Sequence, residues 1–427
     1  MFRNKIVQNA SWIIIGKNVQ SALAFIVNIL TARYLGPSNY GIINYASSIV
    51  VFVIPIAYLG FNNTLVQEMT KNPDDEGQIL GTSILLSLLS SVACIIGVIT
   101  FAYISNPGDS ITIWVVAIYS MILIFQVLDL IQYWFQAKLL SKYSSIVALI
   151  AYTVVSAYKI VLLINKKSVY WFAAANVIDY MLIAIMLLYI YKKLGGKKLS
   201  VNFNKGKIML NRSKHYIVTG LMVAIFSQTD KIMLKQMIDE SATGYYSAAI
   251  SIASVSSFIY VAIIDSFRPV IFQNQENTVQ FELNLKRLYS IVIYLSLFQS
   301  LLMTILSRFI VGILYGKDFS ASVSALQIVV WYTTFSYLGS IRNIWMLAKE
   351  KQKYLWIINL SGAMLNVVIN LLLIPVLGIN GAALASLMTQ FFTNYVMGFV
   401  IKPIRENNRI LMESLNPKYI SGLIKRG

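Results

Sequence analysis

The amino-acid sequence predicts an all-α polytopic membrane protein with about twelve transmembrane helices in two lobes of six. Composition is the first reason: of 427 residues, 57% are hydrophobic and 12% are charged, and the mean hydropathy is +0.68. Soluble domains carry about 25% charged residues. The second reason is that apolar runs of about 20 residues, enough to cross a bilayer core, recur along the whole chain. The third is that Lys and Arg concentrate in alternate loops.

The predicted spans divide six and six around a basic segment. We therefore expect an N-terminal lobe (1–191), a basic cytoplasmic linker (192–214), a C-terminal lobe (215–401) and a basic cytoplasmic tail (402–427). Residues 37–46 align with residues 240–249 as a weak internal repeat, although chance similarity between apolar segments is an alternative. Two lobes facing a central cavity are the simplest arrangement. The predicted spans are 12–34, 41–60, 79–104, 112–136, 144–164, 169–191, 215–237, 243–271, 288–314, 322–347, 354–376 and 380–401.

The formal net charge of +18 would suggest a nucleic-acid partner in a soluble protein. Here most of the Lys and Arg residues fall in loops on one side, which predicts that both termini are cytoplasmic and that no nucleic acid is bound. The linker is expected to lie against anionic lipid headgroups. With a single cysteine, Cys94, the chain can form no intrachain disulfide.

The first span carries polar residues on one helix face. Lys17, Ser21, Asn28 and Thr31 recur at spacings of three to seven residues before the helix is interrupted at Gly36-Pro37. Because hydrocarbon cannot satisfy polar groups, this face is predicted to line a cavity.

Charged residues inside the predicted spans are the candidate functional residues. A charge at mid-bilayer costs about 2.5–3.5 kcal/mol on insertion scales, so each needs a partner or a wet cavity. The bases outnumber the acids, which predicts an anionic substrate. The candidate residues for binding a diphosphate or sugars are Lys17, Asn28, Lys159, Lys231, Arg268 and Arg342. The candidate coupling or ion-pair acids are Asp129, Asp179, Asp230 and Asp265.

Two alternatives apply to these charges. Asp265–Arg268 and Asp230–Lys231 can be buried ion pairs that only join helices. Arg342, like Lys235 and Arg308, can instead lie near a span end and snorkel to the interface. The eighth span orders its polar residues most clearly, as a stripe of Ser247, Ser251, Ser254, Phe258, Val261, Asp265 and Arg268.

Several sequence segments resemble the Wzx-type polysaccharide repeat-unit flippases of the MATE-like MOP superfamily. They are residues 32–41 (ARYLGPSNYG), 129–137 (DLIQYWFQA) with 141–143 (SKY), 228–234 (QTDKIML), 244–249 (GYYSAA) and 374–383 (IPVLGINGAA). The resemblance implies a carrier that moves undecaprenyl-diphosphate-linked oligosaccharide across a bacterial inner membrane by alternating access. It also implies ion coupling, contact with membrane lipids, and a polysaccharide polymerase and a chain-length regulator as partners. Basic residues of the first helix serve related lipid-diphosphate flippases, a role that Lys17 can fill.

Two other functions compete with this prediction. A cation-coupled drug or small-molecule exporter of the same superfamily would need an apolar cavity with acids, which the excess of bases disfavours. A membrane glycan polymerase or ligase would need a sizeable outer loop, and no predicted outer loop is long enough. No metal-ligand cluster, nucleophile motif or phosphate-cradling glycine loop is present in the sequence, so we expect no cofactor, no metal and no enzymatic activity.

Overall fold

A computed structural model describes the backbone of residues 2–419 and the side chains of residues 19–419. This part of the chain is built from α-helices joined by short turns, without strands. The helices are α1 (Phe2–Ala57), α2 (Leu65–Lys71), α3 (Glu76–Ser105), α4 (Ser110–Ser120), α5 (Ile122–Gln126), α6 (Ile131–Ala137), α7 (Ser141–Ile164), α8 (Val169–Lys193), α9 (Phe203–Met237), α10 (Glu240–Ser254), α11 (Ser257–Gln273), α12 (Thr278–Leu314), α13 (Ser322–Ala348), α14 (Leu355–Leu377), α15 (Ile379–Phe391), α16 (Met397–Val400) and α17 (Arg405–Glu413). A π-helical segment, Phe392–Val396, joins α15 to α16.

The helices confirm the predicted fold class. Within the described residues, 8 helical segments are long and apolar enough to cross a membrane, or up to 10 when each of two bent pairs counts as one span. The first of them, Val19–Ala57, covers two predicted spans because it contains a break, and α13 occupies the predicted span 322–347. Each of the twelve predicted segments therefore coincides with a helix or with consecutive helices.

The break in α1 lies at Gly36, whose backbone is non-helical (φ 70°, ψ 173°). Residues other than glycine rarely adopt a positive φ, and Pro37 has no N–H to continue the helical hydrogen bonds. Asn28 on the first part of α1 donates to the Tyr40 hydroxyl on the second (2.9 Å), so a side-chain bond bridges the break.

Contacts divide the chain into two compact units, Met1–Gln228 and Thr229–Gly427, with the boundary inside α9. The first unit has a core that includes Phe61, Trp134 and Phe135. The core of the second unit includes Tyr289 and Trp345.

The segment predicted as a linker, residues 192–214, differs from an isolated loop. Its second half is the start of α9, and three of its bases, Lys197, Lys205 and Arg212, pair with acids of the first unit. Lys205 contacts Asp75 (2.7 Å), and Arg212 contacts Glu68 (2.5 Å). Lys197 donates to the backbone carbonyls at positions 73 and 74.

Glycines on α3 let the loop 194–202 approach closely. A Cβ at Gly77 would lie 2.5 Å from the Lys198 carbonyl oxygen, and a Cβ at Gly81 would lie 2.5 Å from that of Ser200. The Ser200 N–H also donates to the Gly77 carbonyl (3.3 Å). The loop is therefore a packed part of the first unit.

Candidate functional site

The most complete polar site in the described residues surrounds Asp230 on α9, which is only 4% exposed. Its Oδ2 accepts hydrogen bonds from the Tyr246 hydroxyl (2.6 Å) and from the Ser386 hydroxyl. Its Oδ1 accepts from the Nδ2 atoms of Asn366 (3.1 Å) and Asn370 (2.6 Å). Four neutral donors thus bind one buried carboxylate. All five residues lie in the second unit.

Four helices bring these side chains together. Asn366 and Asn370 are four residues apart on α14, so they share one helix face, while Tyr246 comes from α10 and Ser386 from α15. The donors also contact one another: Asn370 donates to Asn366 (3.1 Å), and the hydroxyls of Tyr246 and Ser386 are 3.1 Å apart. These contacts fix the donors around the carboxylate.

No cationic side chain in the described residues forms an ion pair with Asp230. Lys231 interacts electrostatically with Asp230 but makes no direct ion-pair contact with it, since consecutive helical residues do not face each other. Lys231 is half-buried, and its carbonyl accepts from the Thr243 hydroxyl (3.1 Å). The direct hydrogen bonds to the carboxylate thus come from neutral groups.

The atoms around Asp230 are suited to a small hard cation. The side chains supply two carboxylate oxygens, two hydroxyl oxygens and two amide oxygens, which are the ligand types that hard cations take. Asn370 Oδ1 is buried and has no hydrogen-bond partner within the described residues. Rotating the amide of Asn366 or Asn370 would turn its oxygen toward a cation held at the carboxylate. No group of three or more His, Cys, Asp or Glu occurs within the described residues, and a single carboxylate suits a monovalent ion.

A second polar feature of this unit is the exposed face of α11. Arg268 and Asp265 form an ion pair (3.1 Å) whose side chains are 52% and 49% exposed. The predicted pair is thus present, but it is exposed and not buried. Phe258 and Val261 extend the same exposed face, while Tyr260 lies on the buried face. A charged pair exposed on an apolar span favours water over hydrocarbon as its surroundings.

In the first unit, Lys159 on α7 reaches a neutral partner and an acid on α8. Its Nζ donates to Asn176 Oδ1 (2.9 Å) and interacts electrostatically with Asp179. Asp179 Oδ1 is buried without a hydrogen-bond partner within the described residues. The charge of Lys159 is thus partly compensated inside the unit.

Asp129 lies in a 3-10 turn, Val127–Leu130, between α5 and α6. Its Oδ2 accepts from Gln132 Nε2 (2.5 Å), and it interacts electrostatically with Tyr133 and Tyr180. The turn interrupts a predicted span and keeps this acid inside the first unit.

Arg342 on α13 is 4% exposed, so it does not snorkel to an interface. It donates through Nη1 to the Thr393 carbonyl (2.5 Å) in the π-helical segment, and its Nε has no partner within the described residues. The guanidinium therefore binds backbone that a regular α-helix would satisfy itself. The Lys17 side chain lies outside the described residues.

Sequence reasoning singled out Asp230 but missed its four donors. A signal was present: Asn366 and Asn370 stand four residues apart in an otherwise apolar segment. Ser386 and Tyr246 gave no such signal, because isolated hydroxyls are common in membrane helices.

Comparisons with known proteins agree with the fold and with the resemblance. The sequence profile described as polysaccharide biosynthesis protein matches residues 6–275. The capsular polysaccharide biosynthesis protein CapF of Staphylococcus aureus is 21% identical over 399 residues, covering 90% of this chain and 96% of CapF.

Two solved structures share the fold at low sequence identity. An inward-facing multidrug resistance MATE family transporter of the MOP superfamily superposes with a TM-score of 0.71, 12% identity, and coverage of 92% of this chain and 96% of the transporter. The lipid II flippase MurJ, in an inward closed conformation, gives a TM-score of 0.69 and 15% identity, and covers 97% of this chain and 92% of MurJ. These structures show the MOP fold.

Proposed function

Because the chain belongs to the polysaccharide biosynthesis protein family, we propose that it is a flippase for undecaprenyl-diphosphate-linked oligosaccharide repeat units. It moves them from the cytoplasmic to the outer face of a bacterial inner membrane by alternating access, as a carrier and not as an enzyme. The names of CapF and of the lipid II flippase MurJ support a lipid-linked sugar as the substrate class. The distribution of Lys and Arg supports cytoplasmic termini.

The substrate side of the proposal depends on the exposed face of α11. Arg268 is half-exposed, and its planar guanidinium suits bidentate binding of a phosphate. Asp265 holds the guanidinium in place when no substrate is bound and is displaced when the diphosphate arrives. Lys17, Asn28, Lys159, Lys231 and Arg342 remain proposed contributors, with Arg342 the least accessible of those whose side chains are described.

The coupling side depends on the Asp230 site, which is the single observation that carries ion-coupled transport. A buried carboxylate whose hydrogen bonds all come from neutral groups accommodates a small cation at little cost, because the cation replaces hydrogen bonds with ion–oxygen contacts. We assign Na⁺ as the ion, since amide and hydroxyl oxygens add ligands that a proton does not need. Asp129, Asp179 and Asp265 are the other proposed coupling or ion-pair acids.

The decisive experiment follows a lipid-linked oligosaccharide in cells that lack this protein. We expect repeat units to accumulate at the cytoplasmic face, because a polymerase and a chain-length regulator would act on flipped units only. Arg268→Ala and Lys17→Ala are expected to impair export while the protein still inserts. Unchanged surface glycan with altered drug tolerance would instead favour a small-molecule exporter.

Ion coupling is tested separately in proteoliposomes. An imposed Na⁺ gradient is expected to drive flipping in the wild type and to lose its effect in Asp230→Asn, whose side chain is nearly isosteric but neutral. Flipping driven equally well by a pH gradient alone, with no response to Na⁺, would contradict the assignment of the ion.

A further inference from the structure

The eighth span is broken between α10 and α11, which meet at a bend of 41°. Kinks in helices usually arise at proline, at Gly/Ser pairs, at π-bulges or where a side chain inserts. Residues 251–268 contain neither glycine nor proline, and Pro269 lies far from the break. The Ser256-Ser257 pair weakens the helix here, but the sequence of the span does not by itself require the bend.

A side chain from α12 binds at the break. Gln299 donates through Nε2 to the Ser256 hydroxyl (2.5 Å) and accepts through Oε1 from the Tyr260 hydroxyl (2.6 Å). Ser256 is the N-cap residue of α11 and makes no side-chain hydrogen bond to the first turn of that helix. Its hydroxyl therefore serves Gln299 instead of capping the helix.

Packing holds the other end of this bridge. Tyr260 is fully buried, and its ring stacks on Tyr337 of α13, with 3.9 Å between the centroids and 14° between the planes. The amide of Gln299 thus joins the break to a fixed aromatic pair. On the exposed face of the same helix, the Asp265–Arg268 pair lies about one to two turns beyond Tyr260.

We propose that Gln299 is a positioning residue that sets the bend of the eighth span and thereby orients Arg268, and that the span straightens when this amide bridge opens. This inference rests on the proposed substrate role of Arg268. Hinges of this kind are a few element-terminal residues whose contacts have two arrangements. In the open arrangement Ser256 caps α11 and Gln299 is released.

The bend is measured directly with two spin labels. The chain has one cysteine, so Cys94→Ala combined with Ser241→Cys and Gln273→Cys places labels at the outer ends of α10 and α11. At 1.5 Å per residue, straightening a 41° bend between helices of 15 and 17 residues lengthens this distance by about 3 Å. Double electron–electron resonance resolves such a shift.

We expect Gln299→Leu to move the distance distribution to longer values and to lower the flipping rate at least tenfold. Ser256→Ala removes only the hydroxyl that Gln299 binds, and it is expected to shift the distribution in the same direction. This smaller change tests the bridge even if Gln299→Leu does not fold. Gln327→Leu is the matched control, because Gln327 also bridges to α12, through Ser307 (2.9 Å), but away from the break. It should leave the distance unchanged.

Two results would overturn the inference. The first is a distance distribution in Gln299→Leu and Ser256→Ala that superimposes on that of the parent chain. The second is a shifted distribution with a normal flipping rate, because the bend would then not orient Arg268 for transport. A parent protein that flips no lipid-linked oligosaccharide would instead refute the proposed function, and the distance measurement would still report on the hinge.

Discussion

Asn370→Leu tests the Asp230 site without removing its charge. Asn370 is fully buried and donates to Asp230 Oδ1 (2.6 Å) and to Asn366 Oδ1 (3.1 Å). Leucine has the same number and branching of side-chain heavy atoms, so the change removes two hydrogen bonds and one amide oxygen, and its larger volume adds a packing cost that the control variant shares. Asn284→Leu is the matched control, because Asn284 is also buried in the second unit but does not contact Asp230.

The expected loss in the free energy of unfolding depends on the environment of the two hydrogen bonds that Asn370→Leu removes. A hydrogen bond to a charged group contributes about 1.5–3 kcal/mol in soluble proteins. Bonds between side chains inside membranes average about 0.6 kcal/mol and reach about 1.7 kcal/mol. With one charged and one neutral acceptor, we expect Asn370→Leu to lower the free energy of unfolding by about 2 kcal/mol.

The sodium dependence separates this structural loss from ion binding. A ligand at a hundred times its Kd stabilises the folded state by about 2.7 kcal/mol, and a tenfold weaker Kd lowers this by about 1.4 kcal/mol. Unfolding of the purified protein in NaCl and in choline chloride measures the difference. We expect sodium to stabilise the wild type and Asn284→Leu equally and Asn370→Leu much less. Equal stabilisation of all three would refute a cation site at Asp230.

Three further predictions concern other parts of the chain. Arg268→Ala should reduce flipping at least tenfold but change stability by less than about 1 kcal/mol, because exposed ion pairs contribute little; flipping and unfolding assays on one preparation check this. Gly81→Ala should destabilise the protein by about 1–3 kcal/mol, since its Cβ would lie 2.5 Å from the Ser200 oxygen, and wild-type stability would contradict that close approach. Arg342→Met should remove the bond to the Thr393 carbonyl, and increased hydrogen exchange at residues 392–396 is the expected readout.

The helices were predictable from the sequence because membrane spans are encoded locally. A run of about 20 apolar residues bounded by charges or by glycine and proline is sufficient evidence for each span. The break at Gly36-Pro37 was predictable for the same reason. The start of α9 at Phe203 was not predictable, because four bases between 205 and 214 interrupt the apolar pattern of a face that includes the buried Met209.

The Asp230 site could be predicted only in part, since its members are far apart in the chain. Asp230 stood out as a charge inside a span, whereas Asn366, Asn370 and Ser386 lie more than a hundred residues away. Pairing them requires knowing which helices are neighbours. The neighbouring Lys231 suggested a pair by sequence proximity, and in the structure the two residues interact electrostatically without a direct ion-pair contact.

The packed loop 194–202 has a consequence for dividing the protein. The acids at 68 and 75 are synthesised well before Lys205 and Arg212, which neutralise them. A fragment that stops after the sixth span, at Lys193, would lose the segment that covers Gly77 and Gly81 and would leave those carboxylates uncompensated. An N-terminal piece therefore needs the start of α9 to keep these contacts, and genetic fusions or split versions of this protein should be joined beyond residue 212.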